Sequence, residues 1–452
     1  MRPRHIGNAS LVSSAETLGL YVYDVSNTTA AMFCNCLMHS DTTIAFCEPD
    51  QRVSLSSVDA QTPPVYTDDP LIPKQWGLQA LGVQTPWSRH IVGYQGVRVC
   101  IMDSGIDLTH PDLQQNLYSN PGEVPGNGID DDGNGIVDDV HGASFLNGQK
   151  SNDINDQNGH GTLVAGVIGA TTNNGIGIAG VSWNVSMMAC RFMDASGQGQ
   201  LSDAVSCYDY CLTQRAHIIH NSWGSAEFSQ ALSVAFQAIS NRDVLVVTSA
   251  GNDGANTDTV YHYPSGFSAM YKTVLSVGAI DQSLALASLS NYGAKTVQLS
   301  APGISIEGLA LGGQYVVESG TSFAAPAVTA VAVMLYGYLR LNHSIDIDTQ
   351  NVATLIADAI LNGTSPYPDK SYTGKTAQGF AYLPGSLTSL DAGLAAVNYQ
   401  TTAIGGAVGI VVGIVIGLVA MFFIMLLAFY LYVRYQKSRA TLDEQTASVR
   451  EN

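Results

Sequence analysis

The sequence predicts an α/β domain built on a mainly parallel β-sheet with helices on both faces. Two observations carry that expectation. Short, unbroken apolar runs (VRVCIM, VSMMACRF, AHIIHNSW, VLVVTSA, TVLSVGAI and TVQLSA) each stop at small or polar residues. Between them lie segments with helical patterning: GTLVAGVIGA, LSDAVSCYDYCLTQ and FSQALSVAFQAISN. Strands buried on both faces lose the alternation of a half-exposed sheet, and parallel strands need crossover helices to connect them. Ligands of such sheets bind beyond the carboxyl ends of the strands, so residues directly after each run are candidates for chemistry.

Taken from the start of the chain, VDAQTPPVYTDDPLIP at 58–73 is proline-rich and aperiodic, a linker or an extended arm. It separates residues 1–57 from a main domain over 58–398. The chain of 452 residues carries 37 Asp and Glu against 19 Lys and Arg, a balance that argues against nucleic acid as a partner. The acids concentrate in DDDGNGIVDD, residues 130–139, which reads as a cation site or as an acidic surface loop.

Seven cysteines are too few and too irregular to read as a disulfide scaffold, and their pairing is open. Cys100, inside VRVCIM, reads as an inert buried thiol. Cys207 and Cys211, four apart, can share a helix face, and no further ligands for a zinc site are found.

From Ala403 to Val433 the chain runs 31 residues without a charge, long enough for a transmembrane helix. Arg434, Lys437 and Arg439 follow at once, which places the tail 434–452 in the cytoplasm and the large domain outside. The first residues show no apolar export signal. Either the chain starts upstream of this sequence, or it is tail-anchored with its large domain in the cytosol. Sequons at Asn8, Asn27, Asn184, Asn342 and Asn362 fit export. Gly405, Gly409, Gly413 and Gly417 line one face of the span, a pattern that permits a homodimer within the lipid bilayer.

Three residues stand where the fold predicts chemistry. Asp103 follows VRVCIM, His160 lies between two glycines at a helix start, and Ser322 precedes the alanine-rich run FAAPAVTAVAVMLYG. Singly they read as a turn former, a surface histidine and a helix cap. Together they supply a carboxylate, a base and a nucleophile.

The order Asp, His, Ser, within DSG, GHGT and GTSFAAP, resembles the subtilisin family of serine proteases from about Asp69 to Asn398. The resemblance implies a three-layer fold with a mainly parallel central sheet, here followed by a transmembrane helix. It implies that His160 acts as general base and then acid, that Asp103 orients it, and that Ser322 forms the acyl-enzyme. Asn252 in AGN would donate to the oxyanion, and Ser222, Trp223 and Gly224 in NSWG would pair with an extended protein or peptide substrate. A structural calcium site is implied at Asp69, Asp112 and Asn174, with the carbonyls of Ile176 and Ile178.

The acidic loop starts like an EF-hand, with Asp130, Asp132 and Asn134 in register, and Asp139 is expected to join them on a second calcium ion. Residues 1–57 end in TTIAFCEPDQRVSLSS, in which IAFCEPD resembles the last strand of an inhibitory pro-segment, with a cut expected near Leu55 to Ser57. Asp253 and His262 stand where side-chain preference would be set. Leu163 and Ala327 replace second histidines common in the family, a change of packing rather than of chemistry. The rival reading is an inactive homologue serving as a surface adhesin or receptor.

Overall fold

The computed structural model describes residues 9–15, 20–25 and 67–395, so the expected span 403–433 and the cut near residue 57 lie outside the described residues. The chain divides into two units, Met1–Pro63 and Pro64–Asn452. In the first, β1 (Ala9–Ala15) pairs antiparallel with β2 (Leu20–Val25), and the register shifts between Leu11 and Ser13.

The second unit contains an eight-stranded sheet. Its strands are β3 (Gly93–Asp103), β4 (Gly142–Leu146), β5 (Gln149–Ser151), β6 (Asn184–Arg191), β7 (Ile218–Asn221), β8 (Leu245–Ser249), β9 (Val274–Ile280) and β10 (Leu299–Pro302). They lie in the order β10-β9-β8-β7-β3-β6-β4-β5, and every neighbouring pair is parallel except β4 with β5. The six apolar runs thus become β3 and β6 to β10. Not anticipated are β4, the fully exposed β5, and the hairpin of β11 (Ile306–Ala310) with β12 (Gln314–Glu318), none of which forms a continuous apolar run.

Successive side chains of a strand point to opposite faces, and β3 shows what that does here. Val99 and Ile101 enter one core, shared with the helices His160–Gly169, Thr321–Asn342 and Val352–Asn362. Cys100 and Met102 enter a second core, shared with the helices Leu201–Thr213 and Gln230–Asn241. Helices therefore cover both faces, the three-layer arrangement expected.

The helix Thr321–Asn342 is the central element of the first core, with Ala324, Ala325, Val328, Val331, Met334 and Leu335 all fully buried. Each large apolar side chain among them contributes about 1.5–3 kcal/mol by leaving water. Among the described residues this is the only helix long and apolar enough to cross a membrane, and 89% of its apolar window is buried inside the protein. It is a core helix.

The reading of Cys100 as a thiol is overturned. Cys100 pairs with Cys211 and Cys190 pairs with Cys207, so β3 and β6 are both tied to the helix Leu201–Thr213. Cys207 and Cys211 do share a helix face, and that face meets the sheet. A cysteine inside an apolar run looks the same in sequence whether it is a thiol or half of a buried disulfide. The partner of Cys100 is 111 residues away, and only the tertiary structure brings it close.

Candidate active site

The site assembles at the carboxyl ends of β3, β7 and β8. Asp103 is the last residue of β3, its side chain 1% exposed. His160 opens the helix His160–Gly169. Its Nδ1 lies 2.8 Å from Oδ1 and 2.9 Å from Oδ2 of Asp103.

Their approach depends on Gly161. A Cβ there would fall 2.2 Å from the carbonyl oxygen of Gly105 and 3.1 Å from the Asp103 side chain, so only glycine lets the helix start close on the strand end. Its N–H donates to Ser104 Oγ, and the Thr162 hydroxyl donates to Asp156 at 2.7 Å. The residues of DSG and GHGT are thereby accounted for as one clamp around His160.

Burial would depress the His160 imidazole, but the Asp103 carboxylate and its hydrogen bond outweigh that and hold it above its ordinary value. A neutral imidazole so held has its proton on Nδ1, facing Asp103, and presents Nε2 as a base.

Ser322 is the second residue of the helix Thr321–Asn342, where backbone N–H groups have no partner within the helix. The His160 ring packs against the next residue of that helix, its centroid 5.5 Å from that of Phe323. The Ser322 hydroxyl donates to the carbonyl of Ser222 at 3.2 Å, so it is turned toward the NSWG segment and must rotate to meet His160. Catalytic hydrogen bonds are commonly loose before substrate binds.

Asn252 follows β8 and is exposed. Its amide oxygen accepts from both the N–H (2.8 Å) and the hydroxyl (2.9 Å) of Thr321. That fixes the amide orientation and leaves the Nδ2 hydrogens for a ligand beside the Ser322 N–H. Sequence reasoning named Asn252 but not Thr321, which orients it.

A cleft of about 540 Å³ runs past this site, lined by Asp103, His160, Ser222, Trp223, Gly224 and Phe228 among others. Among the described hydrogen bonds none engages the backbone N–H or C=O of Trp223 or Gly224, so both can pair with an added strand. The Trp223 side chain packs edge-on against Phe192 at 5.0 Å and near Tyr208, with one side in the second core. His262 sits between the two segments that flank Ser322. A Cβ on Gly224 would meet its Cε1 at 2.1 Å, and one on Gly251 its Nε2 at 3.0 Å. Asp253 is exposed, and its carboxylate accepts from Asn291 Nδ2 at 3.4 Å.

The expected cation ligands form two groups. Asp69 and Asp112 are buried, 3% and 0% exposed. Asp69 accepts from the N–H groups of Asn173 and Asn174. Asp112 accepts from Asn174 Nδ2 at 2.8 Å and from the N–H of Ile178 at 3.1 Å. Burial first, and the nearby Asp69 charge besides, push the Asp112 carboxyl upward. Ile176 is exposed beside them, and its N–H is held by Asn174 Oδ1.

In the acidic loop, Glu123, Asp130 and Asp132 each bring a carboxylate oxygen within 4.8 Å of the others. Glu123, 7% exposed, was not anticipated; it lies outside the EF-hand-like register that drew attention to the loop. Asp139 does not belong to that trio. Its carboxylate is buried and occupied by Tyr210, Asn134 and Asn120. Among the described residues no Lys or Arg forms an ion pair with any of these carboxylates. Clustered carboxylates without a cationic partner, buried at Asp69, Asp112 and Glu123 and more open at Asp130 and Asp132, fit a hard cation such as calcium.

A carboxylate, an imidazole and a helix-borne hydroxyl at the ends of a parallel sheet define a site for nucleophilic acyl transfer. The profile of the Subtilase family matches residues 94–372, and the chain belongs to that family. It is 34% identical over 307 residues to subtilisin-like protease 1 of Plasmodium falciparum (isolate 3D7), covering 64% of this chain and 43% of that protein. It is 36% identical over 277 residues to subtilisin-like protease 1 of Plasmodium vivax, 57% of this chain and 43% of that protein. Against a thermostable alkaline protease of Halalkalibacterium halodurans it is 35% identical over 260 residues, 58% of this chain and 62% of the other. The match thus spans less than half of the Plasmodium proteins.

Proposed function

We propose that this chain is a calcium-stabilised serine endopeptidase, made as a zymogen and anchored in a membrane with its active site on the outer or lumenal side. The single observation that carries the activity is the contact of His160 Nδ1 with the buried Asp103 carboxylate, next to Ser322 at a helix N-terminus.

His160 Nε2 takes the Ser322 proton as Oγ attacks the scissile carbonyl carbon. The resulting oxyanion is met by the Ser322 N–H, the positive end of its helix and Asn252 Nδ2. The imidazolium, stabilised by Asp103, then protonates the leaving amine, and water repeats the sequence to release the acid. The substrate backbone pairs with Trp223 and Gly224. The side chain beside the scissile carbonyl leaves between Ser222–Gly224 and Gly251–Asn252, where His262 narrows the space and favours small residues.

Calcium would be held by Asp69, Asp112, Asn174 and the carbonyls of Ile176 and Ile178, and by Glu123, Asp130, Asp132 and Asn134 in the loop. It would neutralise buried carboxylates and contribute no chemistry to peptide cleavage. Export is supported by the two disulfides, which persist in oxidising compartments, and by the exposure of sequon residues Asn184, Asn342 and Asn362.

The test is covalent labelling by a fluorophosphonate on membranes carrying the full-length chain. Labelling abolished by Ser322→Ala supports the enzyme; a folded chain that never labels supports the inactive adhesin. A glycosidase-sensitive change in mobility supports export, and its absence supports a tail-anchored cytosolic form.

A further inference from the structure

His220, in β7, is 0% exposed and is not part of the Asp103–His160 pair. Its Nδ1 lies 2.8 Å from the hydroxyl of Thr329 and its Nε2 lies 2.7 Å from the hydroxyl of Ser222. Ser222 Oγ in turn donates to the backbone carbonyl of Ser322 at 2.8 Å.

That carbonyl needs an outside donor. In an α-helix the C=O of residue i accepts from the N–H of residue i+4, and four residues after Ser322 stands Pro326, which has none. The Ser222 hydroxyl fills this gap.

The direction of the chain follows by counting protons. Ser222 has one hydroxyl hydrogen, given to Ser322, so Nε2 of His220 must be the donor to Ser222 Oγ. Nδ1 is then the acceptor, and the Thr329 hydroxyl donates to it. The sequence runs Thr329 to His220 to Ser222 to the Ser322 carbonyl, with no buried partner left unmatched. Burial depresses the His220 imidazole to about 3, so the ring stays neutral as this pattern requires.

We propose that His220 is a positioning residue for the nucleophile: by fixing the proton of Ser222 it locks the Ser322 peptide against the substrate-pairing segment. The role rests on the reading of Ser322 as nucleophile. Without Nε2–H, Ser222 Oγ loses its donor and its hydroxyl can turn away, freeing the first helical turn and the carbonyl of Ser222 that now receives the Ser322 hydroxyl.

The experiment compares His220→Leu, His220→Gln, Ser222→Ala and the Leu/Ala double variant in the full-length chain. The readouts are fluorophosphonate labelling rate, kcat and KM on a peptide substrate, and melting temperature. Misplacing a nucleophile lowers kcat by roughly 10- to 100-fold with KM little changed. That loss is expected in His220→Leu and in Ser222→Ala, with no further loss in the double variant. Glutamine, which carries an N–H near the Nε2 position, restores most of the rate.

Wild-type rates in both single variants, or losses that add in the double variant, overturn the proposal. So does a glutamine variant no faster than leucine. Should His220→Leu fail to fold, Ser222→Ala decides, since it removes a single hydroxyl. Labelling that is lost in Ser322→Ala but unaltered in the His220 and Ser222 variants removes only the positioning role. Labelling that survives Ser322→Ala removes the nucleophile reading and this proposal together.

Discussion

Thr321 gives both its backbone N–H and its hydroxyl to the amide oxygen of Asn252, at 2.8 and 2.9 Å. In the proposed mechanism the residue before the nucleophile therefore aims the second oxyanion donor. Asn252→Ala should lower kcat by about 10²- to 10³-fold, a magnitude carried over from subtilisin. Thr321→Val, which keeps the N–H and deletes the hydroxyl, should show a smaller fall in kcat with KM nearly unchanged. Steady-state kinetics on one peptide substrate decide it, and a normal kcat in Asn252→Ala would remove Asn252 from the site.

His160 must be neutral to accept a proton, and Asp103 holds its imidazole above the ordinary value. Activity should therefore fall on the acid side with an apparent pKa above about 6.5. The charged pair adds stability that is complete below the ordinary value and fades as pH rises through the raised one. In Asp103→Asn the acid limb should move down while kcat falls on the order of 10⁴-fold. An acid limb that stays in place in that variant would contradict the assignment.

Two other histidines work in the opposite sense. Burial first, with Arg98 adding to it, pushes His217 down to about 4, and burial pushes His220 down to about 3. Unfolding exposes them to ordinary values near 6.5, so the unfolded chain binds more protons below that pH. Stability should be complete above about 6.5 and decline toward pH 4 and 3, at about 1.4 kcal/mol per pH unit for each group. Urea unfolding at several pH values, with His217→Gln as the comparison, would show a shallower acid slope in the variant.

His262→Ala should widen the slot between Gly224 and Gly251. The ratio of kcat/KM for a large over a small residue at the cleaved carbonyl should rise, on the order of ten-fold per methylene accommodated. A peptide library assayed against both proteins reads this directly. An unchanged preference would mean that the side chain leaves elsewhere.

Chelation should lower the melting temperature by several degrees, because a ligand held at 100 times its Kd contributes about 2.7 kcal/mol. Asp112→Asn removes one of the two buried charges that repel each other. In chelator it should melt higher than the unaltered chain. Melting curves insensitive to both calcium and chelator would rule out the sites.

Much of the site was legible because its residues lie in local motifs. DSG, GHGT and GTSFAAP each place one functional side chain beside the glycine, serine or threonine that seats it. Thr162 reaches only to Asp156, and Gly161, though it closes on the distant Gly105, needs no more than its own missing side chain to do so. The sheet was legible for a similar reason, since strands buried on both faces leave unbroken apolar runs. Glu123 and Thr321 were missed because each acts on a group remote from its own motif. The hairpin β11–β12 was missed because its strands are half exposed and carry no strong period.

By itself the sequence determined the α/β class, the order Asp103, His160, Ser322 and the residue types that make acyl transfer feasible, because those follow from local pattern and side-chain chemistry. The tertiary structure alone decided what depends on contacts between distant segments. It paired Cys100 with Cys211, gathered Glu123 with Asp130 and Asp132, wedged His262 between two glycines, and set Ser222 on the carbonyl that Pro326 leaves without a partner. Periodicity records which face of a strand or helix is buried. It does not record what lies across the gap.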